Sequence, residues 1–203
     1  MKLLTGTPMQ QRLYETFAEM LKTKQVSEIS VVALTKQAGV SRGTFYMYYA
    51  DIPHFVDQLE RTLFMHLGRA HADNLQTAIK ATALAPNPEI AYPIFEKLMA
   101  TINDYYPLFR GLSGPNGDPH FWKMFETEMT SSLFSALPET LENTLYLDDI
   151  PVDYVMPIFM SSILTIIRHW LLKINPEPYQ EVAKIITESR YVEPYNLFKA
   201  SDE

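Results

Sequence analysis

ISVVALTKQAGVSRGTFYMYY, running from Ile29 to Tyr49, decides the reading of this chain. The spacing predicts two short helices joined by a tight turn. Ser30 stands where a hydroxyl accepts from the orphan amides of Val32 or Ala33 and so caps a first helix. Val31, Leu34 and Ala38 then recur at helical spacing and give that helix one buried face. Gly39 follows, the residue that enters a left-handed turn without a steric penalty. Val40 fills the space between the helices, and Ser41 caps the second. Phe45 and Tyr49, four apart, face inward, while Arg42, Thr44, Tyr46 and Tyr48 face out. A second helix that exposes its polar first turn has the form of the recognition element of a helix-turn-helix.

The same residues resemble the DNA-binding domain of TetR-family transcription regulators. The matching pieces are Ile29-Ser30-Val31, Ala38-Gly39-Val40-Ser41, Gly43-Thr44-Phe45-Tyr46 and Tyr48-Tyr49, and the likeness extends more loosely from Gln10 to Leu63. The resemblance implies an all-α protein, with a three-helix DNA-binding domain over residues 1–50 and a helical ligand-binding and dimerisation domain over 51–203. Many relatives carry a Lys at the position of Ile52, where it contacts phosphate, and some read a base with a polar residue at the position of Val32. Both contacts are missing here.

Working outward, Thr7-Pro8 opens a first helix as cap and first helical residue. Leu13, Phe17, Met20 and Leu21 form its apolar stripe, with Lys22 and Lys24 expected in its last turn. Asp51 and Pro53 open the next helix, whose stripe of Phe55, Val56, Leu59, Leu63, Phe64 and Leu67 is expected to run to about Asn74. Ala81 to Asn87 reads as a loop ending in Pro86-Asn87-Pro88. Helical spacing resumes from Glu89 to Tyr106, and Arg110 to Pro119, rich in Gly and Pro, reads as a loop. Asp118 and Pro119 are expected to open a helix carrying Phe121, Trp122, Phe125, Met129 and Leu133. Pro138 and Asp148-Asp149-Ile150-Pro151 bracket a shorter segment. Val152 to Lys173 is the most apolar stretch, with Pro157 near its start, and Asn175-Pro176-Glu177-Pro178 opens a last helix before a mixed tail to Glu203. About nine helices and no strand are expected. The Gly-rich loop, Arg168-His169-Trp170 and the Asp51-Ile52 pair resemble the dihydroxyacetone-kinase-regulator-like subgroup of the family.

Composition agrees with a folded protein: of 203 residues, 47% are hydrophobic and 20% charged, as in globular chains. Cys is absent, which excludes disulfides and thiolate zinc sites. No apolar run reaches the ~18 residues of a membrane span and the start is too short for a signal segment, so the cytoplasm is the expected location. Net charge is −7, which argues against coating nucleic acid through bulk charge. Yet through Tyr49 the charged residues are Lys2, Arg12, Lys22, Lys24, Lys36 and Arg42 against Glu15, Glu19 and Glu28. A positive end on an acidic body suits a protein that meets phosphates at one end.

The candidate DNA-binding residues are Ser30, Ser41, Arg42, Gly43, Thr44, Tyr46 and Tyr48. Arg42 suits a guanine edge or a phosphate, and Thr44 suits a phosphate through its hydroxyl or thymine through its methyl. The two tyrosines suit backbone positioning, Gly43 lets the helix approach the duplex, and Ser30 brings a phosphate to free amides. No catalytic arrangement is present: there is no nucleophile elbow and no Gly-rich phosphate motif after a strand. An enzyme is not expected, and no cofactor is expected. His66 and His71, with His120 or His169, leave a zinc-regulated alternative that relatives with this type of C-terminal region suggest. Tyr105, Tyr106, Phe109, Phe121, Trp122 and Phe125 flank the Gly-rich loop as a candidate pocket for an unknown small-molecule effector; ordinary core is the other reading of the same rings. Val155 to Leu171 with Val182 to Ile186 is too apolar to face water, so a homodimer through these helices is expected. The expected function is a ligand-responsive repressor on double-stranded DNA. The alternative is a co-regulator of the same fold acting through a protein partner.

Overall fold

The computed structural model describes residues 6–84, 88–136 and 152–189. Within them the chain forms nine α-helices, one 3-10 turn at Val26–Glu28 and no strand. The helices are α1 (Pro8–Met20), α2 (Val31–Ala38), α3 (Arg42–Tyr46), α4 (Ile52–Leu84), α5 (Pro88–Asp104), α6 (Tyr106–Ser113), α7 (Phe121–Ala136), α8 (Val152–Leu172) and α9 (Tyr179–Glu188). The expected segment between Pro138 and Pro151, residues 85–87 of the loop expected from Ala81 to Asn87, and the expected tail from 190 lie outside the described residues.

Local chemistry sets the N-terminal unit. Thr7 Oγ1 accepts from Gln10 N while the Gln10 side chain accepts from Thr7 N at 2.9 Å, a reciprocal cap with Pro8 at the first helical position. Gly39 ends α2 at φ +64°, a conformation that costs a residue with a Cβ roughly 1–2 kcal/mol. Phe55 of α4 is fully buried, and the rings of Tyr14, Phe17, Phe45 and Tyr49 surround it at 5.0–6.0 Å. One ring from α4 therefore collects α1, α3 and the turn after α3 into a core.

In the body, α4 packs on α5 and α7, α5 on α9, and α6 bridges α1 to α8. Phe64 of α4 stacks on Phe121 and Phe125 of α7 at 5.4 and 5.9 Å. Arg110 of α6 closes the far end of α8: its Nη1 donates to the carbonyls of Leu171 and Lys173, both at 2.7 Å, and to the Tyr106 hydroxyl at 3.0 Å. These are orphan carbonyls of a helix C-terminus, where a cation also meets the negative end of the helix dipole.

Four boundaries differ from the sequence reading. The linker helix α4 continues past Asn74 to Leu84; Leu75 to Leu84 lacks a clear stripe but is rich in Ala and Leu, good helix formers with no breaker before Pro86. Arg110 to Ser113 is the end of α6 and not loop, because Gly111 lets α6 lie directly on Leu21 of α1. Lys22 and Lys24 fall just beyond α1, where Lys22 pairs with Glu19 at 2.6 Å. Helix α7 starts at Phe121, two residues after Pro119, with the Asp118 carboxylate accepting from His120 N at 2.7 Å.

The loop from α6 to α7 is tied to the N-terminal unit. Val26 N donates to Asn116 O at 2.9 Å, and Asn116 Nδ2 donates to Leu21 O at 3.0 Å. Gly117 makes that path possible: a Cβ there would stand 2.0 Å from the Leu112 carbonyl oxygen. Gly117→Ala is expected to lower unfolding free energy by about 2 kcal/mol through overpacking against backbone. A urea titration showing an unchanged midpoint would mean that the loop relaxes freely.

Candidate nucleic-acid interface

Both caps that the sequence implies are formed. Ser30 Oγ accepts from Ala33 N at 3.2 Å, and Ser41 Oγ accepts from Thr44 N at 3.0 Å. Each hydroxyl still has a hydrogen to donate, but that of Ser41 is shared with Thr44 Oγ1 at 2.7 Å. Thr44 is half-buried, its hydroxyl engaged with Ser41. Arg42, at the first position of α3, is exposed and makes no ion pair among the described residues. Lys36, in the last turn of α2, is exposed and unpaired in the same sense. A Cβ on Gly43 would meet nothing nearer than Ser41 Oγ at 3.8 Å. The protein's own packing does not require a glycine there, so any demand for a small residue comes from outside.

Tyr46 and Tyr48 are exposed at 50% and 42%, while Phe45 and Tyr49 are buried, so the four aromatics divide by face as expected. Tyr49 is held by its phenol, which receives Gln10 Nε2 at 3.1 Å and lies 3.3 Å from the Tyr14 hydroxyl. Burial, and next the bond with Tyr49, keeps the Tyr14 phenol above its usual range. The turn into α4 is fixed by two further bonds. Asp51 Oδ1 accepts from His54 N at 2.8 Å, and His54 Nδ1 accepts from Ala50 N at 3.0 Å. The seven candidate residues thus lie on α3, at the N-caps of α2 and α3 and, for Tyr48, in the turn after α3, with six exposed and Thr44 half-buried.

Ile52, where relatives carry a phosphate-binding Lys, is buried in the core. Val32 and Met47 expose apolar surface, at 52% and 79%. Met47 escaped the sequence reading because it sits between two tyrosines that carry more obvious chemistry. Its position on the α3 helical wheel, two residues from Phe45, was the available signal.

In the body, the six aromatic candidates do not line one space. Phe109, Phe121 and Phe125 are fully buried against one another, and Tyr105 is buried with its hydroxyl 3.5 Å from His66 Nδ1. Tyr106 faces Trp170. Trp122 alone of the six lines an open groove of about 420 Å³ between α7 and α8. Glu126, Ser161, Thr165, Arg168 and His169 also line it, and the Arg168 guanidinium lies 5.4 Å over the Trp122 ring. Sequence reading missed these polar residues as a group; Ser161, Thr165 and Arg168 fall at i, i+4 and i+7, one face of α8. No group of three or more His, Asp or Glu side chains among the described residues is arranged to hold a metal ion. His71 lies outside the described side chains.

A family model described as a transcriptional regulator C-terminal region (TetR_C_8) matches residues 89–190, half of the chain. The chain belongs to the TetR family of transcriptional regulators. Solved TetR-family structures share the fold over most of their length. A TetR regulator from Streptococcus agalactiae 2603V is 21% identical, with a TM-score of 0.56 over 89% of this chain and 92% of that one. The dihydroxyacetone kinase operon activator DhaS is 14% identical, with a TM-score of 0.58 over 90% and 93%. PfmR from Thermus thermophilus is 17% identical, with a TM-score of 0.59 over 87% and 95%. No curated protein matches the chain. Membership makes the α2–α3 pair a DNA-binding helix-turn-helix within a regulator. Among the described residues of this TetR-family chain, no helix is long and apolar enough to cross a membrane.

Proposed function

We propose that the protein is a cytoplasmic, ligand-responsive repressor that binds a pseudo-palindromic operator as a homodimer. The observation that carries this reading is Arg42: an exposed cation with no ion pair among the described residues, at the start of α3, beside the empty face of Gly43, on a chain whose net charge is −7. In this reading residues 1–50 form the DNA-binding domain and 51–203 the regulatory domain. Arg42 reads a base or grips a phosphate, Tyr46 and Tyr48 position the backbone, Ser30 offers its hydroxyl hydrogen to phosphate, and the Ser41–Thr44 hydroxyl pair offers the one hydrogen it does not share. Two α3 helices about 34–36 Å apart would occupy successive major grooves. Tyr154, Ile158, Phe159 and Ile185 expose apolar surface on α8 and α9, which supports dimerisation through these helices. An effector bound in the body, near the aromatic segment or the α7–α8 groove, would tilt α4 and spoil the half-site spacing. The effector is a small molecule, with zinc as the alternative, and no catalytic step or resident cofactor is involved.

A second reading has a specific basis. Ile52 is buried where a basic residue would reach phosphate, and Val32 and Met47 present apolar surface beside α3. That surface favours a protein partner in place of an operator.

Selection of genomic fragments with the purified protein, repeated at rising salt, separates the two. An operator-binding dimer that neutralises about four to six phosphates should show log affinity falling with log salt at a slope of roughly −4 to −5. Arg42→Ala should weaken binding about tenfold or more and reduce that slope by about 2, one per protomer. Recovery of no motif from a folded dimer would overturn the repressor reading and favour the partner.

A further inference from the structure

Helix α4 carries a carboxyl group in an unusual place. Glu60 is 2% exposed, on the helix face shared by Val56, Leu63 and Phe64, all of them buried. Its Oε1 has no hydrogen-bond partner. The charged groups acting on it are Asp118, from the loop between α6 and α7, and Asp57, one turn earlier on α4. Both are acidic. Arg61, the adjacent cation, is exposed and turned to Asp57 at 2.9 Å, with Glu128 of α7 also acting on it. His120 stands at Asp118, 3.3 Å from its Oδ1. No Lys or Arg among the described residues pairs with Glu60. The other buried side-chain oxygen without a partner among the described residues is Ser113 Oγ, at the end of α6 where the loop to Asp118 begins.

The loop that carries Asp118 ends at Phe121, whose ring stacks on Phe64 of α4 at 5.4 Å, one turn beyond Glu60, and the same loop grips the N-terminal unit through the bonds of Asn116 to Leu21 and Val26. A change in the contact between α4 and this loop therefore reaches the DNA-binding unit by two routes, along α4 and through Asn116. We propose that Glu60 is a proton-operated latch: protonated, it lets α4 stay packed against the start of α7 and the loop before it, and ionised, it drives that packing open.

The physical cause is first the loss of solvent and then two like charges, which together make an unpaired carboxylate costly here. Burial, then Asp118, then Asp57 push the Glu60 carboxyl up from 4.5 to about 8. Once the loop opens, the group returns to water and ionises near its ordinary value. Across the window between those two values the closed form holds a proton that the open form lacks, so opening grows as the pH rises through it. Above about 8 both forms are ionised and the growth stops. Closure is fully favoured below the lower value.

The latch does not depend on operator binding, and its test needs no DNA. Full-length protein labelled with ¹³C at the Glu carboxyls should show one resonance titrating near 8, absent from Glu60→Gln. Hydrogen exchange, corrected for its intrinsic pH dependence, should show opening of residues 56–64 and 112–120 growing about tenfold or more between pH 6 and 8. In Glu60→Gln, a neutral copy of the protonated acid, exchange over that range should be flat. Asp118→Asn removes one of the repelling charges, so the rise should be smaller and should level off at lower pH. If Glu60→Gln does not fold, the wild-type titration and Asp118→Asn still decide. All Glu carboxyls titrating below about 6, or the same pH dependence of exchange with and without Glu60, would overturn the latch.

Discussion

Phe55→Ala is expected to lower the unfolding free energy by about 4 kcal/mol, a large share of the 5–15 kcal/mol that holds a typical domain together. The ring is fully buried, and four other rings, from Tyr14, Phe17, Phe45 and Tyr49, rest on it at 5.0–6.0 Å. Removal leaves a cavity at the point where α1, α3 and α4 meet. Those neighbours cannot collapse into it independently, because Tyr14 and Tyr49 are also joined at their hydroxyls. Phe45 and Tyr49 are the inward anchors of the recognition element, so DNA binding should fall together with stability. Phe55→Leu keeps most of the volume and should cost less than about half as much. Urea denaturation of the three proteins checks the order. A Phe55→Ala midpoint close to wild type would mean that the N-terminal core is organised around another residue.

Arg110→Ala is expected to cost about 3 kcal/mol. One guanidinium nitrogen shares its two hydrogens among three acceptors, two carbonyls at the end of α8 and the Tyr106 hydroxyl. Charge-assisted bonds of this kind are worth about 1.5–3 kcal/mol each when partly buried, and they are not additive. The variant leaves the Leu171 and Lys173 carbonyls without their donor and loosens α6 from α8. Arg110→Lys should recover only part of the loss, since an ammonium lacks the planar fork. Denaturation midpoints give the magnitude, and faster exchange of the amides near Lys173 would locate it. Full recovery by lysine would show that charge alone, without geometry, holds the end of α8.

Where the sequence could be read, the cause was local. Thr7, Ser30 and Ser41 bond to amides three residues away, and Gly39 takes its left-handed turn within its own segment. These interactions are written in adjacent letters. The inward and outward division of Phe45, Tyr46, Tyr48 and Tyr49 follows from helical spacing, and the exposed candidates on α3 follow with it. What escaped reading depends on distant chain. Helix α6 runs to Ser113 because it lies on Leu21, and Asn116 meets Leu21 across 95 positions. For the aromatic candidates, whether a ring fills the core or lines a groove depends on the neighbouring helices. Phe121 and Trp122 are adjacent and do opposite things. Glu60 illustrates the same limit: a glutamate within a helix reads as solvated until the packing of distant elements buries it.

Asn116 has a consequence for protein engineering. A helix-turn-helix unit invites grafting, in which one protein's N-terminal helices are joined to another's C-terminal helices at a cut near residue 50. Here the Leu21 carbonyl and the Val26 amide, on the helix-turn-helix side of that border, are satisfied by Asn116 of the α6–α7 loop. A graft cut at that border separates both groups from Asn116, and with them the bend that Gly117 allows. A chimera built from this chain therefore has to carry the segment from Gly114 to Asp118 along with its N-terminal helices, or supply another residue that makes the same two bonds.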